Sequence, residues 1–308
     1  MSNKLCVVIC SHQRQSLLRK TLDYLNQAQR PLLELQICVV ANACSDGTQQ
    51  MLEQYHQDHS GSIKLIWLDE PKAGKSIALN RALAHLPDWH IALVDDDHRV
   101  DSQYLMQVER ALLIWPQADL ICGRIVPDWD GSEPNWVHLK SDYAIYPLPI
   151  PDYSLGAKPL VLASQHRLPG GGNLVLRQGL FGKVGGFAED LGPTGHNLCG
   201  GEDGEFVSRV MAHQGIIQYT PEIVQFHYVD PERLRLIYLL TKAFQRSCSV
   251  VMLSSPLSSP IPKYLWRKLL SYLFHIIFSL HWPKTRFYMM RCAAVAGEMC
   301  GYYRQRRE

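Results

Sequence analysis

Acidic residues almost vanish from the last quarter of this 308-residue chain. From Arg233 to Glu308 there are 13 Lys or Arg against two acids, Glu298 and Glu308. The rest carries 18 Lys or Arg against 27 Asp or Glu, so a net charge of +2 conceals an acidic part and a basic part that face different partners. An apolar run of membrane-spanning length is also missing. Leu5 to Cys10 is too short for a signal-peptide core and has no cleavage site, which predicts a chain that is not exported. The nine cysteines (Cys6, Cys10, Cys38, Cys44, Cys122, Cys199, Cys248, Cys292 and Cys300) are odd in number and follow no repeat, which excludes a disulfide scaffold and predicts reduced cytoplasmic thiols. Neither Cys6 and Cys10 with His12 nor His196 with Cys199 has the second C-x-x-C arm of a zinc site. Glycine is absent from Cys10 to Arg14, where a nucleotidyltransferase would have a Gly-rich basic loop. Asp69 stands where a phosphate loop ending in Gly74-Lys75-Ser76 requires glycine, which counts against an NTPase.

What is present is the composition of a folded protein, 46% hydrophobic and 19% charged. Leu5 to Cys10, Leu35 to Ala41 and Ile63 to Leu68 are short apolar runs. Each leads through a polar turn into a helix-like segment: Ser16 to Leu25, Thr48 to Tyr55 and Lys75 to Leu86. A fourth run, Ile91 to Val94, ends at Asp95-Asp96-Asp97. Repeated βα units predict an α/β fold with a mainly parallel sheet flanked by helices, and a ligand beyond the strands' carboxyl ends. From Pro127 to Pro169 seven prolines and interleaved Trp and Tyr residues predict a long irregular insertion beside the site. Helical patterning returns at Glu202 to Gln214, Leu234 to Val251 and Tyr264 to Trp282, the last two separated by the Ser/Pro-rich Ser254 to Pro262.

Three carboxylates at the end of a buried strand need solvent, basic partners or a cation. Mg²⁺ and Mn²⁺ take one or two carboxylates and leave positions for phosphate oxygens. Asp95 and Asp97 alternate with Asp96, so in an extended segment both face the same ion or its diphosphate. Asn42 to Thr48 offers Asn, Asp and backbone N–H groups for a nucleotide, or an ordinary helix cap. Lys75 can pair with a diphosphate or lie on the surface. Glu202, Asp203 and Glu205 open a helix behind Gly200-Gly201, where the dipole favours negative charge and a carboxylate can act as a general base.

Taken in order, Cys10 to Arg14, Asn42 to Thr48, Gly74-Lys75 with Asn80, Asp95-Asp96-Asp97, Gly171-Gly172-Asn173 with Arg177 and Gly185-Gly186-Phe187, and Gly201-Glu202-Asp203 resemble the family 2 glycosyltransferases of GT-A fold. The resemblance covers about Leu5 to His227. It implies a nucleoside diphosphate sugar donor, UDP-linked, bound by Ser11, Arg14, Asn42, Asp46, Lys75, Asp95, Asp96, Gly172 and Asn173. It implies a divalent cation, Mn²⁺ or Mg²⁺, on Asp95, Asp97 and His227. It also implies Asp203 as catalytic base with Glu202 in support, and inversion at the anomeric carbon. Two departures stand out. Ala41 occupies a position where many relatives have an acid, and Gln245 to Ser249 does not complete the Q-x-x-R-W of processive synthases, which favours transfer of one sugar or a few.

In Tyr264 to Trp282, Arg267, Lys268 and His275 interrupt the apolar residues, so an interfacial helix against anionic lipid fits better than a span. A helix packed on the catalytic domain is the other reading. No nucleic-acid-binding motif accompanies the charge. The expectation is a catalytic domain over residues 1–231 and a basic, membrane-associating helical region over 232–308. The protein would lie peripherally on the inner face of the cytoplasmic membrane and transfer sugar to a lipid-linked or saccharide acceptor in cell-envelope glycan biosynthesis. A nucleotidyltransferase and a non-catalytic sugar-nucleotide-binding module are the alternatives.

Overall fold

The computed structural model describes residues 3–58, 62–191, 201–254 and 260–305. His196, Cys199 and Gly200, singled out in the sequence, lie outside the described residues. The chain begins with β1 (Lys4–Ser11), α1 (Gln15–Gln27), β2 (Glu34–Asn42), α2 (Thr48–Asp58), β3 (Lys64–Glu70), α3 (Lys75–His85) and β4 (His90–Leu93). These are the βα units of the sequence, within a few residues. Each strand is apolar on both faces because helices cover both: Val7 and Ile9 join Leu18, Leu22 and Leu25 of α1, while Cys6 and Val8 join Ala78, Leu79 and Ala82 of α3. Burying a Leu side chain of this kind contributes about 1.5–3 kcal/mol.

Beyond β4 the chain forms β5 (His98–Val100), α4 (Tyr104–Ile114), β6 (Leu120–Asp128), β7 (Leu160–Val161), β8 (Leu174–Leu176), α5 (Leu180–Val184), α6 (Glu202–Ala212) and β9 (Ile217–Tyr228). The strands form one sheet in the order β3-β2-β1-β4-β8-β6-β9-β5, with β7 also paired to β9. The β3-β2-β1-β4 half is parallel throughout. In the other half β8 runs antiparallel to β4 and β6, β9 runs parallel to β6, and β5 runs antiparallel to β9. The β5/β9 register sets His98 directly opposite His227, so two residues far apart in sequence meet by strand pairing.

The chain divides into two compact units: Met1–Asp128 with Pro151–Tyr228, and Trp129–Ile150 with Val229–Glu308. Part of the proline-rich segment read as belonging to the first domain, Trp129–Ile150, thus groups with the C-terminal helices. The second unit holds α7 (Leu236–Ser254), α8 (Lys263–Ile277) and α9 (Trp282–Gln305). The expected helix from Tyr264 to Trp282 ends at Ile277, and Trp282 starts the longer α9. Helices α7 and α9 meet at Gly297 and Gly301, where an added Cβ would stand 2.1 Å from the Phe244 carbonyl oxygen and 2.8 Å from that of Cys248. The Gln305 side chain donates to the Val251 and Met252 carbonyls at 3.1 and 3.2 Å, capping groups that the end of α7 leaves open. Arg286 is buried over the Trp136 ring, 4.3 Å from its centroid. Among the described residues no helix is long and apolar enough to cross a membrane.

Candidate active site

The three aspartates follow β4 in a tight turn rather than an extended strand, yet Asp95 and Asp97 still converge. Asp95 Oδ2 and Asp97 Oδ1 lie 4.0 and 3.9 Å from the same atom, His98 Nε2. Asp96 turns the other way and is held. Ser11 Oγ donates to it at 2.7 Å and Arg14 Nη1 at 3.0 Å, and the same Arg14 nitrogen reaches Asp97 at 2.9 Å. Thr21 Oγ1 donates to the carbonyls of Asp96 and His98, at 3.0 and 2.8 Å, which pins the turn to α1. Burial pushes the Asp96 carboxyl upward and Asp97 adds repulsion, partly offset by Arg14. Ser11, Arg14 and Asp96 therefore build and neutralise the turn.

On the other flank Lys75, at the first turn of α3, sits 2.9 Å from Asp95 Oδ1 and 3.9 Å from Glu202 Oε1. Desolvation opposes its charge, but Asp95, Asp203 and Glu202 together hold its ammonium pKa above the ordinary value. Burial likewise works against the Asp95 carboxylate, and Lys75 reverses it, leaving the pKa well below the usual range. Position 75 is set by Asn42. Its amide donates to the Glu70 and Lys72 carbonyls at 3.1 and 2.7 Å and accepts from the Gly74 N–H at 2.8 Å, so both its donors are engaged by the protein. Asp46 is spent in the same way, accepting from Thr48 at 2.6 Å and from the Gln15 N–H at 3.0 Å. Burial is the largest single influence and acts upward on its pKa, but these bonds together outweigh it and leave the carboxyl low. Both residues shape loops around the site.

The mixed half of the sheet closes the third side. Gln225 and His227 alternate on β9 and so share a face. The two N–H groups of Gln225 Nε2 are shared among the Leu93 carbonyl, Tyr104 Oη and Asn173 Oδ1 at 2.9–3.1 Å, leaving its Oε1 to accept from His98 Nδ1 at 2.5 Å. His98 Nδ1 is therefore the donor, and its buried Nε2, without a hydrogen-bond partner, faces Asp95 and Asp97. His227 repeats the arrangement. Its Nδ1 donates to the Tyr228 carbonyl at 2.6 Å, and its Nε2 faces Asp97 Oδ2 at 3.7 Å. Burial lowers the His227 pKa despite Asp97, which keeps the ring neutral. Ligand atoms of Asp97, His98 and His227 all lie within 4.8 Å of one another. A carboxylate with two imidazoles, each oriented through Nδ1–H, is a donor set that fits a divalent cation. Cys6, Cys10 and His12 form no such group, since His12 Nδ1 bonds the Asn42 carbonyl and burial pushes both thiols upward.

Gly171 and Gly172 form the wall. A Cβ on Gly172 would lie 2.4 Å from His98 Cε1 and 2.7 Å from Asp95 Oδ2; one on Gly171 would lie 2.2 Å from Asp203 Oδ2. Only glycine lets this backbone press against the carboxylates. Asn173 faces away, donating to the Arg124 and Ile223 carbonyls at 2.7 and 3.1 Å, so it holds the wall and offers nothing to a ligand. Arg177 and Asn80 are likewise structural. Arg177 donates to the Leu112, Trp115 and Ala118 carbonyls at the end of α4, and Asn80 exchanges two hydrogen bonds with Phe187. Glu202 and Asp203 open α6, and Glu205 is taken by Arg209 of the same helix. Glu202 is 3% exposed with Oε2 unpartnered, and Asp203 Oδ1 is also buried without a partner. Burial, Glu202 and Asp95 together raise the Asp203 pKa against the pull of Lys75.

The sequence reading missed His98 and Gln225. Their signal was available: a histidine directly after the third aspartate, and the Gln225-x-His227 spacing that puts both side chains on one strand face. His227 lies inside β9, not after a strand.

A mostly parallel central sheet flanked by helices is the architecture of the GT-A glycosyltransferases. The solved mannosyltransferase PcManGT from Pyrobaculum calidifontis, in complex with GDP-Man and Mn²⁺, superposes with a TM-score of 0.57 at 15% identity, over 95% of this chain and 86% of that one. S. aureus TarS 1-349 in complex with UDP-GlcNAc gives 0.54 at 14% identity, over 98% and 92%. A longer TarS structure gives 0.51 at 16% identity, and there 90% of this chain covers 44% of that one. No curated protein sequence matches the chain significantly. The family model of glycosyl transferase family 2 matches residues 6–181, more than half of the chain, and the protein belongs to that family.

Proposed function

We propose that this glycosyltransferase moves a sugar from a nucleoside diphosphate donor, UDP-linked, to a hydroxyl of a lipid-linked or saccharide acceptor, with inversion and without processive polymerisation. The observation that carries the reading is the facing of two sets of orphaned groups across one mouth. On one side are the free Nε2 of His98 with His227 and Asp97; on the other are the unpartnered carboxylate oxygens of Glu202 and Asp203. Lys75 pairs with Asp95 at 2.9 Å and with Glu202 at 3.9 Å.

In this scheme Asp97, His98 and His227 would hold a Mn²⁺ or Mg²⁺ ion, with Asp95 close by. Bound there, the cation would neutralise charge on the departing diphosphate. Lys75, released from Asp95 by a nearby phosphate, would turn its ammonium to the same diphosphate. Arg14 would balance the remaining charge of Asp96 and Asp97. Asp203 takes the proton from the acceptor hydroxyl, the oxygen forms the new bond to the anomeric carbon, and the bond to the diphosphate breaks. A single displacement of this kind inverts the centre. Glu202 keeps Asp203 basic by repulsion. The 1–231 region would be catalytic and the 232–308 region would associate with the inner face of the cytoplasmic membrane, where lipid-linked glycan intermediates of the cell envelope reside.

Calorimetric titration with UDP, GDP and their sugar conjugates, with Mn²⁺ or after chelation, tests the reading. Metal-dependent binding of a diphosphate supports it and narrows the donor. Binding of nucleoside triphosphates alone would replace it with a nucleotidyltransferase. Donor binding with full retention of every measured activity in Asp203→Asn would replace it with a non-catalytic sugar-nucleotide-binding module.

A further inference from the structure

Helix α8 is apolar on two sides, and only one is covered. Its inner side carries Leu265, fully buried, with Tyr272 and His275 in ring contact with Tyr288 of α9 at 5.7 and 4.4 Å. Trp266, Leu270, Leu273 and Ile277 follow at helical spacing along a different face, with Phe274 beside them, and all five are exposed. Leu270 is 66% and Ile277 72% exposed, and Phe278 and Leu280 extend the stripe past the helix end. Phe274 and Phe278 lie against each other, 4.5 Å between ring centroids, so the patch is continuous. A contiguous exposed patch of large apolar side chains marks an interaction site.

The charge around the patch selects the occupant. Between Lys263 and Leu280 there are three Lys or Arg and no acid. Lys263 and Arg267 rim the stripe, Lys268 stays with the ring of Tyr264, and Lys284 and Arg291 follow on α9. A second copy of the chain would bring two basic rims together, whereas an anionic phospholipid surface would neutralise them while burying the rings among acyl chains.

We propose that the outward face of α8 docks flat on an anionic lipid bilayer, with Trp266, Leu270, Phe274 and Ile277 below the headgroups and Lys263 and Arg267 at phosphate level. This rests on the membrane reading given above and makes it specific to one face. It is independent of donor chemistry.

The full chain is sedimented with vesicles of phosphatidylcholine alone and of phosphatidylcholine with phosphatidylglycerol, with UDP titration as the check on the folded catalytic unit. The expected result is binding to the anionic vesicles, reduced by salt. It should weaken more than tenfold in the Phe274→Ser/Ile277→Ser double variant and less in Arg267→Gln, with UDP titration unchanged in both. Both substitutions of the double variant are at exposed positions, and circular dichroism verifies its fold. The proposal is overturned if the wild-type chain ignores anionic vesicles, or if the double variant binds them equally well. It is also overturned if sedimentation velocity shows that the stripe instead holds two copies together. Absence of UDP binding with intact vesicle binding would overturn the donor reading and leave this one standing.

Discussion

The two halves of the sheet make unlike contributions to one site. The parallel half, β3-β2-β1-β4, delivers charge: Lys75, Arg14 and the aspartates all sit just beyond its strand ends. The mixed half delivers direction. Gln225, His227 and the Gly171-Gly172 wall fix which atoms of the neighbouring residues face the mouth. The difference teaches that the aspartates alone make an acidic turn, already balanced by Arg14 and Lys75. The pair of oriented imidazoles completes a donor set that could hold a cation.

This contrast can be broken from either side. The largest effect is expected at the base: Asp203→Asn should lower kcat by about 10²–10⁴-fold with donor binding retained, as measured by turnover and titration. Next comes direction without charge. Gln225→Met removes the acceptor that orients the His98 ring, and by analogy with other residues that orient metal ligands it should weaken cation affinity about 10–100-fold. Asn42→Ala, on the parallel side, should cost about 1–3 kcal/mol of stability through the orphaned Gly74 N–H and two carbonyls, and weaken donor binding by loosening Lys75. Chemical denaturation measures the first effect and titration the second.

The smallest effect is a pH dependence of stability. The folded-state pKa of Asp203 is raised, so the folded protein disfavours its ionisation. The resulting cost is absent below the unfolded pKa of about 3.9 and grows as pH rises toward the folded value. Asp203→Asn should therefore melt a few degrees higher than wild type near pH 8 and at the same temperature near pH 4. An inactive variant that is also more stable in alkali is the signature of a base held against its preference.

Legibility followed the same division. The parallel half could be read because each apolar run is followed by a polar turn and a helix. The aspartates, Lys75, Glu202 and Asp203 stood out because charge beside buried strands is uncommon. The mixed half was opaque. β9 buries Gln218, Thr220, Gln225 and His227, so it shows no apolar alternation, and β5, β7 and β8 are only two or three residues long. β6 was left unread, and only its last two residues, Pro127 and Asp128, were placed in the irregular insertion. Asn42, Asp46 and Asn173 were assigned to the nucleotide by resemblance, but their side chains bond the protein itself. A sequence shows which polar groups are present without showing which are already used. α9 was missed because its buried face is small and mixed, with Gly297 and Gly301 in place of large apolar residues.

The central claim is that Asp97, His98 and His227 hold one divalent cation beneath a nucleoside diphosphate. Its most direct test is titration of Mn²⁺ by electron paramagnetic resonance, with and without UDP, in the wild-type chain and in Asp97→Ala, His98→Ala and His227→Ala. The account predicts one Mn²⁺ per chain, bound more tightly with UDP, lost in Asp97→Ala and weakened at least tenfold in each histidine variant. Equal Mn²⁺ affinity in His98→Ala and wild type would contradict it.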